Sequence, residues 1–146
     1  MPGVTTRFVQ DCPPSPSSVC SHIVSDMMRN PAWKVADHIA RVGEDSLCLS
    51  IVTAAELRFG AAKSGSSRLL QRVEAVLARV PVLPLDVPAD AEYGGIRAEL
   101  EATGQSIGPN GLLIAAHAQA LGATIVTANV AEFRRVQGLT VENWIA

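Results

Sequence analysis

Residues Leu112 to Leu121 are apolar nearly all round and are stopped by Gly122; two residues later Thr124-Ile125-Val126-Thr127 makes a continuous apolar strand pattern. A helix without a polar face belongs between layers, and a strand without one is covered on both sides. The fold this demands has helices on both faces of a sheet. The remaining periodicities agree. Ile23 to Arg29 reads as a short helix stopped by Asn30-Pro31, and Ala32 to Arg41 sets Val35, Ile39 and Val42 at helical spacing before Gly43. Leu47 to Leu49 reads as a buried strand, after which Ser50 caps a helix running through Glu56 to about Lys63, with Gly65 beyond its end. Arg68 to Arg79 repeats Leu69, Val73, Val76, Leu77 and Val80 on one face, and Pro84 pushes the strand Val82-Leu83-Pro84-Leu85 toward an end or an edge. Ala89 to Thr103 is a further amphipathic helix closed by Gly104, and Leu139-Thr140-Val141 is the last strand.

Strands alternating with helices give an α/β fold: an α/β/α sandwich around a short, mainly parallel sheet with right-handed crossovers. Ligand sites on such sheets lie beyond the carboxyl ends of the strands. Here that edge collects Cys20 to His22, Ser50 to Glu56, and Thr127 to Asn129. With 146 residues, 48% of them hydrophobic, one core is expected. Pro13, Pro14 and Pro16 interleaved with Ser15, Ser17 and Ser18 make residues 1–18 an irregular lead-in to a domain spanning 19–146. No apolar run approaches the roughly 20 residues of a membrane span, and no leader pattern opens the chain, so a cytoplasmic protein is expected. Cys12, Cys20 and Cys48 contain no CxxC pair and read as reduced thiols; with His22 they match no usual structural zinc spacing. A net charge of −2 supplies no global field for nucleic acid. Any RNA contact would be local, through Arg29, Lys34 and Arg41 or through Lys63 and Arg68, residues that equally suit a solvated face.

Three motifs carry the chemistry. Ala55-Glu56-Leu57 is followed by Arg58-Phe59-Gly60; Pro109-Asn110-Gly111-Leu112-Leu113-Ile114-Ala115-Ala116 opens the apolar helix; Thr127-Ala128-Asn129 precedes Glu132-Phe133. In order and spacing, with Ile23 to Pro31 before them and Leu139 to Trp144 after, they resemble the PIN-domain toxins of VapC type from bacterial toxin–antitoxin pairs. The resemblance covers roughly Val19 to Trp144. It implies a PIN-like fold, an endoribonuclease dependent on Mg2+ or Mn2+, a homodimer, and a VapB-like antitoxin whose C-terminal segment occupies a groove. It also marks departures. Val19-Cys20-Ser21-His22 stands where the family has Leu-Asp-Thr-Asn, Gly111 where it has a second Asp, and Ala128 where it has Asp or Asn.

Mg2+ takes oxygen ligands, one or two of them carboxylates, and the ion activates water and steadies charge on the phosphorus. Glu56 survives as a ligand. Cys20 is a soft donor, while Gly111 and Ala128 donate nothing from a side chain. Asn110, Asn129 and Glu132 are the remaining candidates, although Glu132 stands three residues after Asn129 at capping-box spacing. Asp11 imitates a strand ending in Asp and would replace the lost acid if the Pro/Ser-rich stretch loops out; Asp26 lies about 240° round a helix from Cys20 and points away. His117, on an apolar helix, reads as a hydrogen-bonded core or interface residue. Two functions fit: a metal-dependent ribonuclease with weak or lost activity, and a catalytically silent PIN homologue that sequesters a VapB-like antitoxin.

Overall fold

The computed structural model describes residues 16–20, 23–25, 28 and 34–145, with the side chains of residues 34 and 35 excepted. The expectations for Asp11, Cys12, His22, Asp26 and Arg29 fall outside them. Five strands form one sheet in the order β3-β2-β1-β4-β5, and every pairing is parallel. The strands are β1 (Ser17–Val19), β2 (Leu47–Ser50), β3 (Val82–Leu83), β4 (Thr124–Val126) and β5 (Val141–Glu142). The helices are α1 (Lys34–Val42), α2 (Ile51–Ser64), α3 (Ser67–Arg79), α4 (Ala89–Ala102), α5 (Pro109–Leu121) and the single turn α6 (Val130–Phe133).

Several element ends differ by a residue or two from those read in the sequence, and two strand starts differ. β1 starts at Ser17, so Ser17 and Ser18 belong to the sheet and not to the irregular lead-in. Both are buried between β2 and β4, where backbone pairing outweighs the turn preference of serine. β5 begins at Val141, although the Thr140 carbonyl already accepts from the Ile125 N–H at 2.8 Å. β3 takes the edge of the sheet, as Pro84 requires.

Successive residues of a strand face opposite sides, and the core divides accordingly. Val19 and Val126 join a cluster with Ile23, Leu49, Leu57, Val73 and Trp144. Cys20 and Ile125 join a second one with Leu100, Leu112, Ala115 and Phe133. Helix ends are set where the sequence places them: Gly65 and Gly122 adopt the left-handed conformation with φ of 67° and 65°, closing α2 and α5.

One polar contact ties these layers together. The Ser50 hydroxyl accepts from the Val52 N–H at 3.1 Å, capping α2, and lies 2.9 Å from Nδ1 of His117 on α5. His117 is 2% exposed, and its Nε2 is buried without a hydrogen-bond partner among the described residues. Burial holds the imidazole below its ordinary pKa, the Pro84 carbonyl opposing weakly. The neutral ring is the form that burial favours, and charging it inside the core is opposed by the loss of solvation.

Replacing Ser50→Ala removes both the cap and the histidine's partner, and should destabilise the fold by about 1–3 kcal/mol in urea titrations. Stability should also fall as pH drops below 6.5, because the unfolded chain gains a proton on residue 117 that the folded chain resists. His117→Gln should flatten that part of the profile relative to the parent; identical slopes for the two proteins would refute it.

Candidate functional site

β1 ends at Val19 and the chain turns at once. The N–H of Cys20 donates to the Val126 carbonyl at 2.9 Å, while the Cys20 carbonyl accepts from the N–H groups of Ile23 and Val24 at 3.1 Å each. Residue 20 therefore stands where a strand hands over to a helical turn, at the carboxyl edge of the sheet. Its side chain is 7% exposed and hydrogen-bonds that of Thr127, which follows β4. Burial pushes the thiol up to about 12; Thr127 acts the other way, and the charge of Glu56 adds to the rise. At neutral pH Cys20 is an uncharged S–H group.

Glu56 occupies the second turn of α2, which the Ser50 cap aims out of β2. It is half-buried, and its charge reaches Cys20. A second set of contacts continues from Thr127. Its Oγ1 accepts from the Asn129 N–H at 3.0 Å, and the Asn129 side-chain amide donates to Glu132 Oε2. Glu132 Oε1 accepts from the Gly108 N–H at 2.9 Å, at the N-cap of α5. Nearby, Arg135 Nη1 donates to the Ser106 carbonyl at 3.0 Å.

The structure thus brings Cys20, Glu56 and Thr127 together, and separately Asn129, Glu132, Gly108 and Gly111. Asn110 is exposed on the first turn of α5, and Ala128 is exposed after β4. The capping-box expectation for Asn129 and Glu132 takes a different form. Asn129 makes no side-chain cap on α6, its own N–H is taken by Thr127, and the Glu132 carboxylate serves the N-terminus of α5 instead. Sequence reasoning missed Thr127 as the joint of the site and the Gly108 N–H as the anchor of Glu132. The Thr127–Asn129 turn had a local signal, since threonine hydroxyls commonly accept from the N–H two residues on. The Gly108 contact, 24 residues away, had none.

Gly111 lies inside the first turn of α5, as Pro109 before it predicts. A Cβ there would meet Glu132 Oε1 at 3.1 Å, tighter than ordinary packing.

These residues do not fit a divalent hard cation. Cys20 is a neutral, soft donor, Gly111 has no side chain, and the Glu132 oxygens are engaged by two N–H donors. Among the described residues, no group of three or more His, Cys, Asp or Glu side chains is arranged to hold a metal. Among the described residues, the strand ends offer one half-buried carboxylate with a neutral thiol beside it, fewer oxygen ligands than a hard divalent cation prefers.

The scaffold has close relatives. Residues 17–139 match the PIN domain. The chain is 42% identical over 104 residues to the tRNA(fMet)-specific endonuclease VapC of Shigella flexneri, covering 70% of this chain and 79% of the relative. This chain belongs to the VapC-type PIN-domain family. It is 39% identical over 101 residues to the ribonuclease VapC2 of Rickettsia felis, covering 68% of this chain and 75% of that one. The crystal structure of VapBC2 from Rickettsia felis, bound to a DNA fragment from its promoter, superposes with a TM-score of 0.82 at 30% identity, covering 88% of this chain and 98% of that chain. Against the VapC pattern, the PIN scaffold is retained while positions 20, 111 and 128 carry no acid.

A buried thiol with so high a pKa should resist alkylation. Iodoacetamide at pH 8 should leave Cys20 unlabelled in the native protein and label it after denaturation, read by peptide mass mapping. Native labelling at the rate of an exposed thiol would contradict the placement of Cys20.

Proposed function

We propose that this VapC-type PIN protein acts as a binding module for a VapB-like antitoxin, with the family's metal-dependent RNA cleavage lost or reduced to a residue. One observation carries the reading: a VapC scaffold whose acid positions hold a buried neutral thiol and a glycine. The relatives named above are ribonucleases, and a VapBC complex is among the structural neighbours. Those likenesses support RNA as the ancestral substrate and an antitoxin as the partner, within a PIN-like domain that includes β1 from Ser17 onward.

The antitoxin's groove has a counterpart in the cleft of about 490 Å³ between α1 and α3, lined by Ile39, Leu47, Val76 and Val80 together with Arg72 and Glu44. Binding there depends on apolar burial and needs no metal. The protein is proposed to work in the cytoplasm; among the described residues no helix is long and apolar enough to cross a membrane. Homodimerisation is supported by apolar surface beside α4, where Val87 is 76% exposed and Leu85 38%.

A weak nuclease is the second reading, favoured by the survival of Glu56 at the strand ends. In it, Glu56 holds Mg2+ or Mn2+ with help from Asn110, Asn129 and Glu132, or from Asp11. Purified protein should be incubated with a mixed RNA pool across a Mn2+ titration, beside a Cys20→Asp/Gly111→Asp/Ala128→Asp variant. The native chain should cleave at least about 100-fold more slowly than the repaired one, since each lost electrostatic contact to a transition state typically costs that much. Co-expression with a VapB-like antitoxin should give a stable complex with either chain. Equal cleavage by both chains, abolished by Glu56→Ala, would overturn the silent-module reading in favour of the nuclease.

A further inference from the structure

We propose that the mouth of the sheet is a metal-independent polar lock, in which the Glu132 carboxylate fills the place of the side chain absent at residue 111 and fastens α5 to the turn after β4. The lock rests on reading residue 111 as a vacated acid position, but it concerns stability and not cleavage, so it is tested without RNA.

Glu132 Oε1 lies 2.9 Å from the Gly108 nitrogen and 3.1 Å from where a Cβ at residue 111 would stand. Its other oxygen accepts from the Asn129 amide, and the Asn129 backbone N–H is held by Thr127, the partner of Cys20. An unbroken polar chain therefore runs from Cys20 through Thr127, Asn129 and Glu132 to Gly108. Arg135 reinforces it by holding the Ser106 carbonyl, so the segment before α5 is gripped twice from one short stretch. A carboxylate facing the first turn of a 13-residue helix is also favoured by the helix dipole.

This geometry couples residues 111 and 132. With glycine at 111, the Glu132 carboxylate has room and two donors. An aspartate at 111 would press its β-carbon against Oε1 and set a second carboxylate beside the first, an arrangement favourable only with a cation between them. The Glu132 side chain is therefore stabilising beside Gly111 and destabilising beside an aspartate when no metal is present.

Thermal unfolding in EDTA and in millimolar Mn2+ tests this on four proteins: the native chain, Glu132→Gln, Gly111→Asp, and the double variant. The native Tm should be the same in EDTA and in Mn2+. Glu132→Gln should lower it by about 2–4 °C in both, as expected for loss of roughly one such contact in a domain of this size. In the Gly111→Asp background and EDTA, the same Glu132→Gln change should raise Tm, a reversal of sign. A saturable rise of the native Tm with Mn2+, lost in Glu132→Gln, would make Glu132 a metal ligand and overturn the lock; so would an unchanged Tm in Glu132→Gln, or an equal effect of that change in both backgrounds. Should the aspartate variants fail to fold, the native titration and Glu132→Gln alone still decide it. Failure of the lock with no cleavage in the RNA assay would leave the silent-module reading standing, whereas cleavage by the native chain would remove that reading whatever the unfolding data show.

Discussion

Because β1 and β4 pair in parallel, with Val19 opposite Val126 and the Cys20 N–H bonded to the Val126 carbonyl, residues 20 and 127 leave the sheet side by side. From that seam the chain winds outward in two directions, β1 to β2 to β3 on one side and β4 to β5 on the other. The order of strands reverses there, and the connecting segments part to leave a crevice. α2, capped at Ser50 in the neighbouring strand, sends Glu56 toward the same crevice. Every contact at the site follows from this one pairing. A slip of one residue in β1 would turn Cys20 to the opposite face and part it from Thr127.

What the seam holds is nearly neutral chemistry. Clustered acids raise each other's pKa and need a bound cation to be stable together. With a thiol at 20 and glycine at 111, that repulsion is reduced, and hydrogen bonds link Thr127, Asn129, Glu132 and the Gly108 N–H. The thiol has a further consequence. Packed with Ile96, Leu112 and Phe133 in the second apolar cluster, Cys20 behaves as a small hydrophobe, so the strand end that would be a polar pocket is partly core.

The layers and most helix limits were legible because they rest on local signals. Ser50 starts a helix through its hydroxyl, Gly65, Gly104 and Gly122 each end one through a positive φ, and the apolar run of α5 has no way to sit except between layers. The start of β1 was not legible, since Ser17 and Ser18 have no strand preference and are held by neighbours distant in sequence. The site divides in the same way. The motif order gave the register of Cys20, Gly111 and Glu56 along the strand ends. The partner of Glu132 was hidden, because a glutamate three residues after an asparagine looks like a local cap, whereas the stronger attraction is to the bare N-terminus of α5 across the fold.

The charge at the strand ends bears on recognition as well as on catalysis. A polyanion approaching the strand ends meets Glu56 and Glu132 in a protein of net charge −2, and only a bound cation would invert that local field. At physiological salt that field acts over roughly 8 Å, the distance at which a phosphate backbone would have to dock. On the proposed reading, a site that holds no metal would weaken the hold on RNA and the cleavage of RNA together. Surfaces away from the seam do not share this dependence: the cleft between α1 and α3 has apolar walls formed by Ile39, Val76 and Val80, and a partner seated there would be held by area removed from water. Under the proposed function, substitutions that take acids out of a PIN site would act selectively, removing the function that needs charge and sparing the one that needs shape.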